Sequence, residues 1–456
     1  MVATTPAAVR APRARWDEPR TALRWGAQSL VPQLVLRRAA RHGQLGARLA
    51  VDRSLWADPF GVYEQMRAQG PLLGRGRICA TVSHRVASEA LRGPAFGVEV
   101  AATARVPPLL RRMLALTADP WAVGPAEPPS MLAVDPPDHT RYRRLVSKVL
   151  TPRALAELEP RIEQLASELL AGMEHRARAG DGVVDLIEAY AGPLPVAVIA
   201  EILGIPVEMR PRMLALGDAA AVTLDPVTSY RQFRAATAAL REIHHWLAGH
   251  LAELRQRPGD DLLSRLAAVT DSGDALDEVE LRATALLVIG AGFETTVNLI
   301  ANGVAQLLAH PDQLALLRAE PSRWPDAVDE ILRFDSPVQV TLRVATADTE
   351  LADRALPAGQ FVSIMLGGAN RDPEVFDHPQ AFDIARRGAR EHLAFSAGVH
   401  FCLGASLARM EGAIALRMLV ERFPALALAP GAVRRRMRVL RGYQRLPVRL
   451  GRDACA

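Results

Sequence analysis

One cysteine stands in a setting suited to chemistry. It lies in Phe395-Ser-Ala-Gly398-Val-His400-Phe-Cys402-Leu-Gly404, directly before a helical run from Ala405 to Phe423. A thiolate that binds a metal must be held against the cost of its charge. N–H groups at a helix N-terminus lower that cost and the thiol's pKa with it. Gly398 and Gly404 permit tight turns and close approach of backbone to a flat ring. His400 is placed to donate a hydrogen bond to an anion. Taken alone, a single cysteine is more often a small buried hydrophobe. Cys79 and Cys455 lack such neighbours and read as structural.

A second group, Ala291-Gly292-Phe293-Glu294-Thr295-Thr296, interrupts an apolar run. Glycine and threonine are poor helix formers, and a buried glutamate there is costly. Threonine bonding back to the backbone would distort the helix and free a carbonyl, leaving a polar notch in an apolar wall. By itself the motif fits equally well a solvated carboxylate beside a core threonine. A third group pairs His139 with Arg143, at i,i+4 on one face of a helix start. Guanidinium groups hold carboxylates bidentately. Each of these residues, taken singly, reads as surface. So does Glu330-x-x-Arg333, an ordinary i,i+3 helix pair.

The elements that must position these residues are mostly helical. With 456 residues, 49% hydrophobic and 23% charged, the chain has ample material for a core. Helical spacing marks Leu155–Ala177, Ser229–Arg257 and Leu276–His310. The last opens on Asp277-Glu278-Val279-Glu280, a capping-box pattern, and stops at Pro311. It would run about 33 residues, or roughly 50 Å, and cross the whole core. Strands are expected at Ile78–Val82, Val338–Ala345, Phe361–Met365 and Leu446–Leu450. No repeat or low-complexity linker divides residues 51–456, which read as one large domain.

Residues 1–50 form a basic N-terminal extension, partly helical or disordered. Between Pro19 and Val51 there is no acid, while Arg20, Arg24, Arg37, Arg38, Arg41 and Arg48 occur among Leu23, Trp25, Leu30, Val31, Leu34, Val35 and Leu36. This is a basic amphipathic helix or pair broken at Pro32. It either packs on the body of the protein or meets a membrane surface or partner.

The formal charge is +5, and Lys148 is the only lysine. No basic stripe with interleaved aromatics points to nucleic acid. No zinc or disulfide spacing appears among the three cysteines. No secretory leader or run of about 18–20 apolar residues appears, so no transmembrane anchor and a cytoplasmic location are expected.

The five fixed positions Phe395, Gly398, His400, Cys402 and Gly404 match Phe-x-x-Gly-x-His-x-Cys-x-Gly. Over roughly residues 51–450 the chain resembles the cytochrome P450 family, soluble bacterial type. The resemblance implies a mainly α fold with minor β-sheets, holding haem b between the long helix and the cysteine loop. It makes Cys402 the axial iron ligand. His139, Arg143, Ala291, Gly292, Arg343, Phe395, Gly398, His400 and Gly404 become cofactor contacts, and Glu294 and Thr295 an acid-alcohol pair that delivers protons for dioxygen activation. Glu330 and Arg333 become a buried pair behind the cysteine loop. Its usual third member, an arginine just before a phenylalanine, is replaced here by Ala381. Arg386 is the candidate to compensate.

The implied activity is insertion of one oxygen atom from O2 into a small hydrophobic substrate. No electron-transfer domain is visible in the sequence, so a separate ferredoxin and ferredoxin reductase are expected. Arg141, Arg144 and Lys148 could line a basic docking face. Oxidative coupling, epoxidation or peroxide-driven chemistry is the alternative within the family, and a non-catalytic haem sensor the alternative outside enzymes.

Overall fold

A long apolar stretch of the sequence becomes the longest described helix, Glu278–Ala309. The computed structural model describes residues 14–74, 77–99, 108–148, 151–268 and 275–451. The expected capping box is present. The Asp277 carboxylate accepts the Val279 and Glu280 N–H groups, and the Glu280 carboxylate accepts the Asp277 N–H. This helix packs against helices Pro193–Leu203, Arg210–Ala221, Trp324–Phe334 and Ala405–Arg422. Among the described residues it is the one helix long and apolar enough to cross a membrane, which corrects the expectation that no such stretch exists. Most of that stretch is wrapped by the protein's own core. The notch does not break the helix either. Thr295 Oγ1 donates to Ala291 O at 2.9 Å and Thr296 Oγ1 to Gly292 O at 3.1 Å, and the α-helix runs on through both.

The other expected long helices form as Pro152–Ala179 and Tyr230–Gln256. Of the expected strands, Ile78–Thr81 pairs in parallel with Phe361–Ile364. That strand pairs antiparallel with Thr341–Ala345, and the sheet closes on the short strand Phe96–Gly97. Val338 makes only an isolated bridge to Leu440, so the strand starts later than its sequence suggests. Pro447–Arg449 joins Val183–Asp185 and Ala427–Leu428 in a second small sheet. Cys79 is fully buried, with its sulfur accepting from the Gln360 amide at 3.1 Å, whereas Cys455 lies outside the described residues.

The expected break at Pro32 is absent. The chain stays helical from Ala14–Trp25 through a π-helical turn, Gly26–Leu30, into Val31–Arg41. The wider turn accommodates a proline, which cannot donate to the preceding turn. Ala14–Leu30 docks on the body: Arg24 pairs with Glu127 at 2.7 Å, and the Trp25 indole donates to Thr228 O at 2.9 Å. Val31–Arg41 buries no residue.

Helix Ala405–Arg422 carries Glu411, which is 1% exposed and whose Oε1 has no partner. Burial alone pushes its carboxyl up to about 8. Between the ordinary carboxylate value and that one, the folded chain holds a proton the unfolded chain has lost, so stability falls as pH rises across the interval. Glu411→Gln should remove this fall. Urea midpoints for both proteins at pH 5.5 and 8.5 check it, and a wild-type-minus-variant difference independent of pH would refute a neutral Glu411.

Candidate active site

The cysteine loop is pinned from behind by buried ion pairs. Arg333, with none of its side chain exposed, donates twice to Glu330 at 2.7 Å and to the carbonyls of Asn370, Pro379 and Ala381 at 3.0 Å. All five guanidinium donors are used. Arg386 supplies the third member: its Nε donates to Glu330 at 3.2 Å and Nη2 to the His378 and Ala381 carbonyls. The departure at Ala381 is therefore compensated from five residues downstream. Beside Glu330, the Asp329 carboxylate collects Arg409 at 2.7 Å, Arg390 at 3.0 Å and His392 at 3.3 Å. The Arg409 guanidinium also lies 4.6 Å over the Phe395 ring. Sequence reasoning missed this second cluster, because its members are spread over eighty positions with no local motif.

Within the loop, the Cys402 N–H donates to Phe395 O at 2.9 Å, so Phe395 acts through its carbonyl while its ring packs behind. Gly398 has φ +69°, and a Cβ there would lie 2.3 Å from Leu91 O. Its bareness seats the loop on helix His84–Arg92. A Cβ at Gly404 would meet nothing within 4 Å, so there the backbone does border open space. Cys402 is exposed on one side and walled by protein on the others. That walling pushes its thiol pKa up, while the Gly404 amide and the charges of Arg143 and Arg409 pull it down.

Basic groups gather near the cysteine with little to neutralise them. His139 and Arg143 sit on helix Asp138–Ser147, as the spacing predicts. The His139 and His400 rings are 4.2 Å apart. Burial first, then His139 and Arg343, push His400 down to about 4. Its Nε2 is buried without a hydrogen bond, 3.6 Å from Asp135. Arg343, on strand Thr341–Ala345, is 3% exposed and, among the described residues, hydrogen-bonds only Leu342 O and Ser396 Oγ. Burial depresses it to about 10. Arg143 makes no ion pair among the described residues. Asp135, the nearest acid, is itself engaged by the Val98 and Glu99 N–H groups. Arg141 is not free for docking, being tied to Glu280 at 2.6 Å.

On the central helix the small residues divide. Ala291 is exposed and Thr295 half-buried, while Phe293, Glu294, Thr296 and Val297 beside them are buried. Gly292 turns the other way: a Cβ there would strike Ile199 at 2.4 Å, so its smallness serves helix packing. Glu294 also points away from Thr295's open side. It is 3% exposed, and Arg435 Nη1 lies 2.7 Å from its Oε1. The contact is off hydrogen-bond geometry, so neither carboxylate oxygen accepts a hydrogen bond. Arg435 also meets Asp218. Burial pushes Glu294 up to about 7, against the opposing pull of Arg435.

Glu294 begins a polar ridge at i+4 spacing, Glu294-Asn298-Asn302-Gln306. Asn302 donates to Asp335 O and Arg441 O and accepts from Arg434, and Gln306 donates to the Asp335 carboxylate. Asn298 is fully buried with neither amide atom bonded. The four-residue spacing was visible in the sequence and could have located this ridge.

The cytochrome P450 family profile matches residues 325–437. The chain is 46% identical over 432 residues to putative cytochrome P450 140 of Mycobacterium tuberculosis, spanning 94% of this chain and 97% of that protein. The chain is a cytochrome P450. It is also 40% identical to vitamin D(3) 25-hydroxylase of Pseudonocardia autotrophica, over 87% of this chain and 95% of that one. Among solved structures it resembles ligand-free CYP164A2 of Mycobacterium smegmatis, with TM-score 0.78 and 37% identity over 89% of this chain and 99% of that one. The fold is that of the P450s, the enzyme class is haem monooxygenase, and the cofactor is haem b.

The residues present fit that group. A macrocycle carrying two carboxylates suits the unpaired Arg143 and Arg343 and the orphaned His400 nitrogen. An accessible thiol beside open backbone at Gly404 suits its metal.

Proposed function

We propose that this P450 inserts one oxygen atom from O2 into a bulky hydrophobic small molecule, drawing electrons from a separate ferredoxin and its reductase. The observation that carries the reading is the division on the central helix. Thr295 and Ala291 occupy the open side, while one position away Glu294 is buried with a pKa near neutrality. Bound haem would supply oxygen activation, with Cys402 as the thiolate donor to its iron. Arg143, Arg343, His139 and His400 would hold its carboxylates. Thr295 presents a hydroxyl to the reacting side. Glu294, buried behind that side and able to gain or lose a proton near pH 7, is the proton reservoir, reaching the hydroxyl only if its carboxyl turns from Arg435. Arg435 keeps that carboxyl from rising further.

The substrate class rests on the relatives. Proteins named vitamin D(3) 25-hydroxylase and 6-deoxyerythronolide B hydroxylase, 40% and 43% identical over the matched regions, point to a large, mostly apolar alicyclic or macrocyclic substrate. A second reading has one specific support, the structural likeness (TM-score 0.75) to CxnD, a P450 described for C–S bond formation.

Thr295→Ala should leave electron consumption nearly intact but release most of it as peroxide, cutting product per electron roughly a hundredfold, the lower end of the usual worth of a positioned proton donor. Product and peroxide are measured together in a reconstituted ferredoxin system. Unchanged coupling would remove Thr295 from the role, and turnover by coupling rather than hydroxylation would favour the second reading.

A further inference from the structure

The N-terminal helices present a surface that the oxygenase reading does not use. Helix Val31–Arg41 buries none of its residues. Val31, Leu34, Val35 and Arg38, at i, i+3, i+4 and i+7, share one face, with Leu34 and Val35 each 55% exposed. Arg37, Arg38 and Arg41 are exposed on the same helix and make no ion pair or hydrogen bond among the described residues.

Helix Pro108–Thr117 lies against helix Ala14–Trp25 and the π-helical turn, and repeats the mixture. Leu109 and Leu116 stand 80% and 71% exposed, beside the exposed and unpaired Arg111 and Arg112. With Leu23, these two helices and their neighbour hold six of the thirteen large exposed hydrophobics among the described residues. The apolar exposure is thus concentrated on one side rather than scattered. No acid dilutes the charge: residues 19–51 and 100–118 contain neither Asp nor Glu. The acids that border these segments are already engaged: Asp17 and Asp119 face Arg241, Glu18 faces Arg234, Asp52 faces Arg48 and Glu127 pairs with Arg24.

We propose that this face, Leu23–Arg41 with Leu109–Leu116, rests on an anionic lipid surface. Leucine and valine side chains enter the boundary between headgroups and acyl chains, and the arginines extend to the phosphates. A second copy of the chain fits poorly, because self-contact would bring at least five unpaired guanidinium groups against five others. A rigid acidic protein fits less well than lipid, because the leucines protrude singly from convex helices, and a fluid surface conforms to such projections. The proposal is independent of the reaction the haem site carries out.

The test is co-sedimentation of the full-length holoprotein with vesicles of phosphatidylcholine alone or mixed equally with phosphatidylglycerol. Binding is expected only to the mixed vesicles, and it should weaken as salt shortens the screening length. Each arginine contributes roughly fivefold to such partitioning. The triple variant Arg37→Glu, Arg38→Glu, Arg41→Glu should therefore bind at least about a hundredfold more weakly. Leu34→Ser with Val35→Ser should weaken binding as well, while both variants keep the wild-type haem spectrum. No binding to mixed vesicles, or binding that both variants leave unchanged, overturns the proposal. So does a salt-sensitive complex with an acidic ferredoxin that both variants abolish while vesicle binding persists.

Discussion

Cys402→Ser abolishes the thiolate-type Soret band of the reduced carbon monoxide complex while the protein remains folded. A serine hydroxyl does not ionise near neutral pH, so the strong anionic donor is lost outright. The fold survives because the loop is held through other atoms. The Cys402 contact to Phe395 is made by its backbone N–H, and the supporting pairs lie behind the loop. Cys79 cannot substitute, being fully buried beside Gln360, with burial pushing its thiol up. Circular dichroism establishes that the variant is folded, and the reduced carbon monoxide spectrum reads the ligand. A variant that retains the thiolate-type band means that Cys402 is not the axial donor.

Glu330→Ala should be the most damaging scaffold substitution. It strands Arg333 with no exposed surface, removes the acceptor of the Asp383 N–H, and takes from Arg386 its one acidic partner among the described residues. Breaking a buried pair by deleting one partner costs about 3–5 kcal/mol. That is a large share of the stability of an ordinary domain, about 5–15 kcal/mol. Arg386→Ala should cost less, because its other bonds go to carbonyls near the surface and Arg333 still neutralises Glu330. Chemical denaturation and haem content of the purified variants measure the order. A loss below about 1 kcal/mol for Glu330→Ala, or one smaller than that for Arg386→Ala, contradicts this account of how the loop is held.

Much of this was legible before any coordinates. The cysteine loop, the long helix with its Asp277–Glu280 cap, and the helix face bearing His139 and Arg143 all follow from local spacing, because each depends on residues within a turn or two. Tertiary partnership was not legible. Gly292 and Gly398 announce only that a side chain is missing, and the neighbour each accommodates, Ile199 or the Leu91 backbone, is remote in sequence. The sequence placed Glu294 and Thr295 together, yet a helix turns adjacent residues about 100° apart, so one entered the core toward Arg435 while the other stayed at the open side. The π-helical turn before Pro32 was hidden for a related reason: a proline rules out one backbone geometry without naming the geometry that replaces it.

The stand-in arginine bears on how such chains diverge. The carbonyl of Ala381 accepts from both Arg333 and Arg386, and Glu330 accepts from both as well. What the fold demands at that point is a positive charge at a place in space, and two positions in the chain can deliver it. An arginine introduced at 381 while Arg386 remains would bring a third cation to one carboxylate, and losing Arg386 first would leave that carboxylate short of one. The two positions are therefore coupled, and moving the guanidinium from one to the other is a paired change rather than two independent ones.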